Sequence, residues 1–209
     1  MNAYFLDQGV GAALVMLTLL GAAVAWSLQK LGVRQREVYL LFAFVLISHA
    51  AFALFAHYTG FQPLGGGPGD YLRYALAAQE IAERVHVGNF SLDGITYFHY
   101  FPIIISYVYL AVMPAMVVGQ LFMVWIAALT ILVLYFITLE LGASRRGAFF
   151  VALLGSVYPS FVFFTSYVLK DGLVIFFALL SLFLLLKLLK RFSWTLYLLL
   201  FLAAIPLVN

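Results

Sequence analysis

Apolar residues run along this chain in long, nearly unbroken blocks rather than alternating with polar ones. Val10 to Leu28, Val38 to Phe55, Leu121 to Leu139, Ala148 to Val168 and Leu173 to Leu189 each approach the roughly 20 residues that cross a bilayer as a helix. Trp194 to Val208 is a shorter sixth block. The pattern predicts an all-α, polytopic transmembrane protein of about six spans, forming one transmembrane domain over residues 1–209. Within it, residues 1–57 hold two N-terminal spans, 58–120 an outer loop with interfacial helices, and 121–209 the further spans.

The block Phe101 to Val118 is long enough to cross but carries Pro102 at its start and Pro114 inside. Charge arbitrates, because Lys and Arg collect in cytoplasmic loops. If the block does not cross, Lys30, Arg34, Arg36, Arg145, Arg146, Lys187, Lys190 and Arg191 share one side, against Arg73, Arg84 and Lys170, an 8 to 3 split of 11 bases. If it does cross, the split is 7 to 4. The first arrangement is preferred. It leaves Asp7, Asp70, Glu80, Glu83, Asp93 and Asp171 outside, and Glu37 and Glu140 inside.

Composition agrees with that reading: 66% of the 209 residues are hydrophobic, 9% are charged, and the mean hydropathy is +1.10. The formal net charge of +3 and the pI near 9.1 then report topology and not nucleic-acid binding, and a soluble role is excluded. With no cysteine there is no disulfide, thiolate nucleophile or Cys-ligated metal. The first block follows Asp7 rather than a basic region and lacks a clear small-residue cleavage site, so it is read as a span and not a cleaved signal peptide.

Tyr58 to Tyr100 is the one long hydrophilic stretch, well beyond the usual 2 to 8 residues of a helix connection, and loops of that length tend to be functional. It contains Gly65-Gly66-Gly67-Pro68-Gly69-Asp70, whose glycines free the backbone to turn tightly against the membrane. A helix is predicted over Tyr71 to Val87, lying in the interface on a stripe of Leu72, Ala75, Ala78, Ala82 and Val85. Asp70 sits where an N-cap would, but no capping box supports it, because Arg73 occupies the position three residues on. Asp70 is thus either a helix cap or a catalytic acid. Glu80 and Arg84 are spaced for an i,i+4 surface pair and, with Glu83, read as a solvated face.

A second polar break, Ser166 to Gly172, sets Lys170 and Asp171 between two apolar helices. Either Lys170 snorkels to the interface beside Asp171, or it meets an anionic head group while Asp171 orients it or binds an acceptor. His57, His86 and His99 could approach Asp70, which leaves a divalent metal possible, yet nothing has the HExxH-like spacing of a metal site, so the metal is not the favoured reading and no other cofactor is indicated. His49, in mid-span beside Ser48, reads as an interhelical hydrogen-bond partner.

In order, Gly69-Asp70-Tyr71 with Ala75 and Ala78, Tyr100-Phe101-Pro102, Leu139-Glu140-Leu141-Gly142 with Arg145-Arg146, and Tyr158-Pro159-Ser160 leading to Leu169-Lys170-Asp171 resemble the N-terminal catalytic module of the C-type membrane glycosyltransferases. That superfamily includes the protein mannosyltransferases and aminoarabinose transferases, and the resemblance covers roughly Pro68 to Leu189. It implies a catalytic acid on the first outer loop and an apolar helix after it that stays on the outer face. It also implies a polyprenyl-phosphate-linked sugar as donor. Two spans precede the loop here where the family has one, and Asp70-Tyr71 stands where many members show two adjacent acids. The chain also ends after about six spans, as either a fragment or a reduced relative would.

The resemblance therefore implies an integral protein of the plasma (inner) membrane that transfers a sugar from a polyprenyl-phosphate donor on the outer face, with membrane lipids and partner subunits around it. Asp70 is the candidate base, Lys170 and then Arg73 the phosphate partners, and Asp171, Tyr71, His99 and Tyr100 the remaining substrate-binding residues, while Tyr97 is a further aromatic at this depth. The alternative is a non-catalytic scaffold subunit of a larger complex. A transporter ranks last, because His49 is the lone ionisable group at mid-membrane.

Overall fold

The computed structural model describes residues 9–61, 69–95 and 100–207, and among these it is entirely helical. In chain order the helices are α1 (Val10–Lys30), α2 (Arg36–Thr59), α3 (Asp70–His86), α4 (Tyr100–Ala111), α5 (Met116–Glu140), α6 (Arg145–Ser156), α7 (Pro159–Ser166), α8 (Lys170–Lys190) and α9 (Trp194–Ala204), the last running into a short 3-10 turn, Ile205–Leu207. Four of them, α1, α2, α5 and α8, are long and apolar enough to cross a membrane.

The block Ala148 to Val168 is not one straight span. It divides into α6 and α7, which meet at 62°. The cause is Tyr158-Pro159: proline disfavours helical backbone at the residue before it and lacks the N–H an uninterrupted helix would use, so Pro159 opens α7 while Tyr158 is extended. Counted together, the bent pair brings the candidate spans to five. The expected sixth is 11 residues of helix, α9, about 17 Å long and short of the ~30 Å hydrocarbon core.

α5 is the axis of the fold. Its crossing window is 61% buried, against 22% for α1 and 17% for α8, and it packs against α1, α2, α4, α6, α7 and α8. Two apolar cores lie at its two ends. One gathers the start of α1 (Ala13, Met16, Leu17), the end of α2 (Ala50, Ala53), α3, α4, the start of α5 (Met116 to Val124), Val168 of the link before α8 and Leu173 at the start of α8. The other gathers Leu28, Val38, Leu41, Ile131, Tyr135, Ala148 and Ala152.

This arrangement answers the question posed by Phe101 to Val118. The helix there, α4, has 12 residues, about 18 Å, and it stops before Pro114; residues 112–115 then turn the chain into α5, which starts at Met116 rather than Leu121. Since α4 packs on α3 and on the start of α5, the end of α2 and the start of α5 share one end of the bundle. Lys30, Arg34, Arg36, Arg145, Arg146, Lys187, Lys190 and Arg191 flank the termini that meet at the opposite end. The molecule thus has a basic end and an end carrying Asp70, Glu80, Glu83, Asp93 and Asp171.

Polar groups inside the bundle are placed to hold it. His49 Nε2 lies 2.9 Å from the Ser156 carbonyl, which the end of α6 leaves without a helical partner, and Nδ1 lies 3.1 Å from Thr165 Oγ1. The expected interhelical histidine therefore splints the bend, whereas Ser48 bonds back to Phe44 of its own helix. At the basic end, Glu140 receives both Lys187 and Lys190, the latter at 2.8 Å, tying α8 to α5.

Candidate functional site

The site is built from the starts of α3, α4 and α8 at the acidic end. Gly69, φ −68° and ψ −177°, is the N-cap of α3, and its conformation is one any residue adopts. The other loop glycines, 65 to 67, lie outside the described residues. Asp70 is consequently the first helical residue and not the cap, so its carboxylate is spared the N–H groups and stands 61% exposed at the positive end of the helix dipole. Arg73 is one turn on, its guanidinium 3.8 Å away.

The predicted helix Tyr71 to Val87 is present as α3, Asp70–His86. Its buried side is wider than the predicted stripe, with Tyr74, Ala77 and Ile81 beside Ala75, Ala78 and Ala82. One side faces the main core and the other a small cluster with Ile95. Glu80 and Arg84 pair at 2.6 Å as expected, but Arg84 is more than part of a solvated face. It also donates to the carbonyls of Ser91 at 3.1 Å and Asp93 at 2.8 Å, clamping the following loop to the helix.

Close packing of α8 on α5 sets the position of Lys170 and Asp171. A Cβ on Gly172 would lie 2.8 Å from Met123 Cε, and one on Gly119 would lie 3.0 Å from both Tyr109 Oη and Val168 Cγ2, so at Gly119 hydrogen is the side chain that fits without a shift. Lys170 opens α8 half-buried, with no carboxylate within 4 Å among the described residues, and the neighbouring Asp171 is exposed. The Lys170–Asp171 ion pair that snorkelling would allow is not formed.

The charges of two carboxylates from distant parts of the chain reach a pair of phenols, Asp70 and Asp171 acting on Tyr74 and Asp171 on Tyr100. Tyr74 lies on the same face of α3 as Asp70, four residues on, and packs edge-to-face on Phe101 of α4 at 5.3 Å. Burial first, then the charges of Asp70 and Asp171, raise the Tyr74 pKa. Burial and then Asp171 do the same to Tyr100. Both phenols are therefore neutral hydrogen-bond donors at neutral pH. Tyr71 faces elsewhere: its ring is 5.0 Å from Tyr167, which lies 4.9 Å from Phe163 and donates to the Phe61 carbonyl.

The structure thus brings Asp70, Arg73, Tyr100, Lys170 and Asp171 to one end of the bundle and joins Tyr71 to it through the α7–α8 link. His99 and Tyr97 lie outside the described residues. Tyr74 was missed by the sequence reading, although its i,i+4 spacing from Asp70 marked it. His57 sits at the same end, its Nδ1 2.9 Å from Gln120 Oε1, with both side chains buried. Among the described residues no group of three His, Asp or Glu side chains forms a metal-ligand set.

Searches of curated proteins and of solved structures gave no match. The dolichyl-phosphate-mannose-protein mannosyltransferase family matches residues 73–208, close to two thirds of the chain; the match takes in Arg73, Tyr74, Tyr100, Lys170 and Asp171 and begins three residues after Asp70. The chain belongs to the dolichyl-phosphate-mannose-protein mannosyltransferase family, a family of C-type membrane glycosyltransferases.

Proposed function

We propose that the acidic end of the bundle faces outward and transfers a sugar there from a polyprenyl-phosphate donor to an acceptor hydroxyl. The observation that carries this reading is the placement at one end of the bundle of Asp70, whose charge reaches Tyr74, Asp171, whose charge reaches both Tyr74 and Tyr100, and Lys170, whose ammonium has no carboxylate within 4 Å among the described residues. The orientation follows from charge, since eight of the eleven bases sit at the other end and bases collect on the cytoplasmic side.

Each residue has a role set by its chemistry. The acceptor oxygen attacks the anomeric carbon, the bond from that carbon to the phosphate oxygen breaks, and the acceptor's proton passes to the Asp70 carboxylate. The departing lipid phosphate keeps the bonding pair and takes its counter-charge from Lys170, with Arg73 as the second cation. Asp171 orients the acceptor. Tyr74 and Tyr100, held neutral, donate to sugar hydroxyls.

Asp70→Asn tests the assignment. Because Asp70 is inside the helix rather than its cap, the substitution costs at most the dipole interaction and the exposed contact with Arg73, together about 0.3–2 kcal/mol. Loss of the base is expected to lower transfer by about a hundredfold or more. Transfer within a few-fold of the unmodified protein, at equal expression, removes Asp70 from the mechanism. One observation favours a second reading, a membrane subunit that binds donor without turning it over: the family match starts after Asp70. That reading predicts donor binding with no transfer in the unmodified protein.

A further inference from the structure

At the basic end, Arg145 and Arg146 open α6, far from the carboxylates of the site. With Glu37 and Leu40 of α2, and Phe149 and Phe150 of α6, they line a cleft of about 340 Å3. Val38, Leu41, Ala148 and Ala152, their near neighbours in sequence, are buried in the core at this end, so the cleft sits at the rim of the bundle. Leu40 is 54% and Phe150 61% exposed, apolar surface at the membrane's edge. No carboxylate lies within 4 Å of either guanidinium among the described residues, whereas Lys187 and Lys190 nearby are both paired with Glu140. At the start of α6 the Ser144 hydroxyl accepts the Gly147 N–H at 3.1 Å, and the N–H groups of Arg145 and Arg146 have no helical partner.

Guanidinium forks match phosphate oxygens in pairs, and basic pockets between membrane helices suit anionic head groups. Here the two cations adjoin an apolar wall, which a phosphate with acyl chains uses and a free phosphate does not. Two guanidiniums against the Glu37 carboxylate give the lining a charge of +1, complementary to the single negative charge of a phosphodiester. We propose that the cleft between the starts of α2 and α6 binds the head group of an anionic phospholipid from the leaflet at the basic end.

The test is native mass spectrometry of the full chain in detergent, titrated with phosphatidylglycerol, phosphatidylethanolamine or phosphatidylcholine of matched acyl chains. Phosphatidylglycerol is expected to be retained about tenfold better than the other two. The R145Q/R146Q double variant should erase that preference and leave phosphatidylcholine binding as it was, while Glu37→Gln should strengthen phosphatidylglycerol retention several-fold. Equal retention of the three lipids, or a preference untouched by the arginine changes, overturns the proposal. So does displacement of phosphatidylglycerol by millimolar inorganic phosphate, which would make the cleft a simple anion site. If the double variant fails to fold, Glu37→Gln decides alone: unchanged or weakened retention refutes the role of this cleft.

Discussion

Lys170 is a half-buried cation with no carboxylate inside ion-pair distance among the described residues, and such a group needs an anion or a route to water. Lys170→Met keeps the aliphatic stem and removes the charge. If the ammonium serves the donor phosphate, affinity for a polyprenyl phosphate should fall by about 1.5–3 kcal/mol, while a neutral polyprenol binds as before. Equal losses for the two lipids in a binding titration would mean that the substitution disturbed packing instead. His49 gives a structural counterpart. His49→Leu strands the Ser156 carbonyl and removes the contact to Thr165, and is expected to cost roughly 1–2 kcal/mol in a denaturant unfolding series. Ser48→Ala, which removes a bond within one helix, should cost far less.

At the scale of elements, helices were legible where apolar blocks were long and uninterrupted, and their bounds were misread where proline fell inside one. Pro159 starts a new helix and Pro114 lies in the turn between two, although the surrounding residues are apolar enough to continue either helix. Hydropathy reports burial in lipid and is blind to a bend whose freed carbonyl is met by a histidine from another helix. Close contacts at glycine were equally hidden, because what fills the space comes from elsewhere in the chain. Gly119→Val puts Cβ and two methyls where Tyr109 Oη and Val168 Cγ2 already stand at 3.0 Å from the added Cβ. Overpacking there should cost about 1–3 kcal/mol of stability in a thermal melt. Because Val168 precedes Lys170 by two residues, donor affinity should fall as well; a stable variant with full affinity would show that this contact does not set the position of Lys170.

For the molecule as a whole, the charge count put Asp70, Arg73, Lys170 and Asp171 on one side of the membrane and the resemblance joined them into one site, but the packing that brings the starts of α3 and α8 together through Tyr74 was out of reach. Nothing local in a chain says which helix starts share an end of the bundle. Charge supplied part of that information, since the 8 to 3 division of bases separates the same two ends that the apolar cores do. The division makes a testable statement about the membrane. If α4 stays on one side, Asp93 and Arg145 are separated by one crossing, that of α5; if the block Phe101 to Val118 also crossed, they would share a side. The chain has no native cysteine, so single cysteines at these positions report cleanly. An impermeant thiol reagent on intact cells is expected to label Asp93→Cys and to reach Arg145→Cys only after permeabilisation. Labelling of both in intact cells would mean a second crossing, and would separate Asp70 from Lys170 by the thickness of the bilayer. Labelling of Arg145→Cys alone would keep the site intact but turn its carboxylates toward the cytoplasm, where the proposed outer-face transfer could not occur.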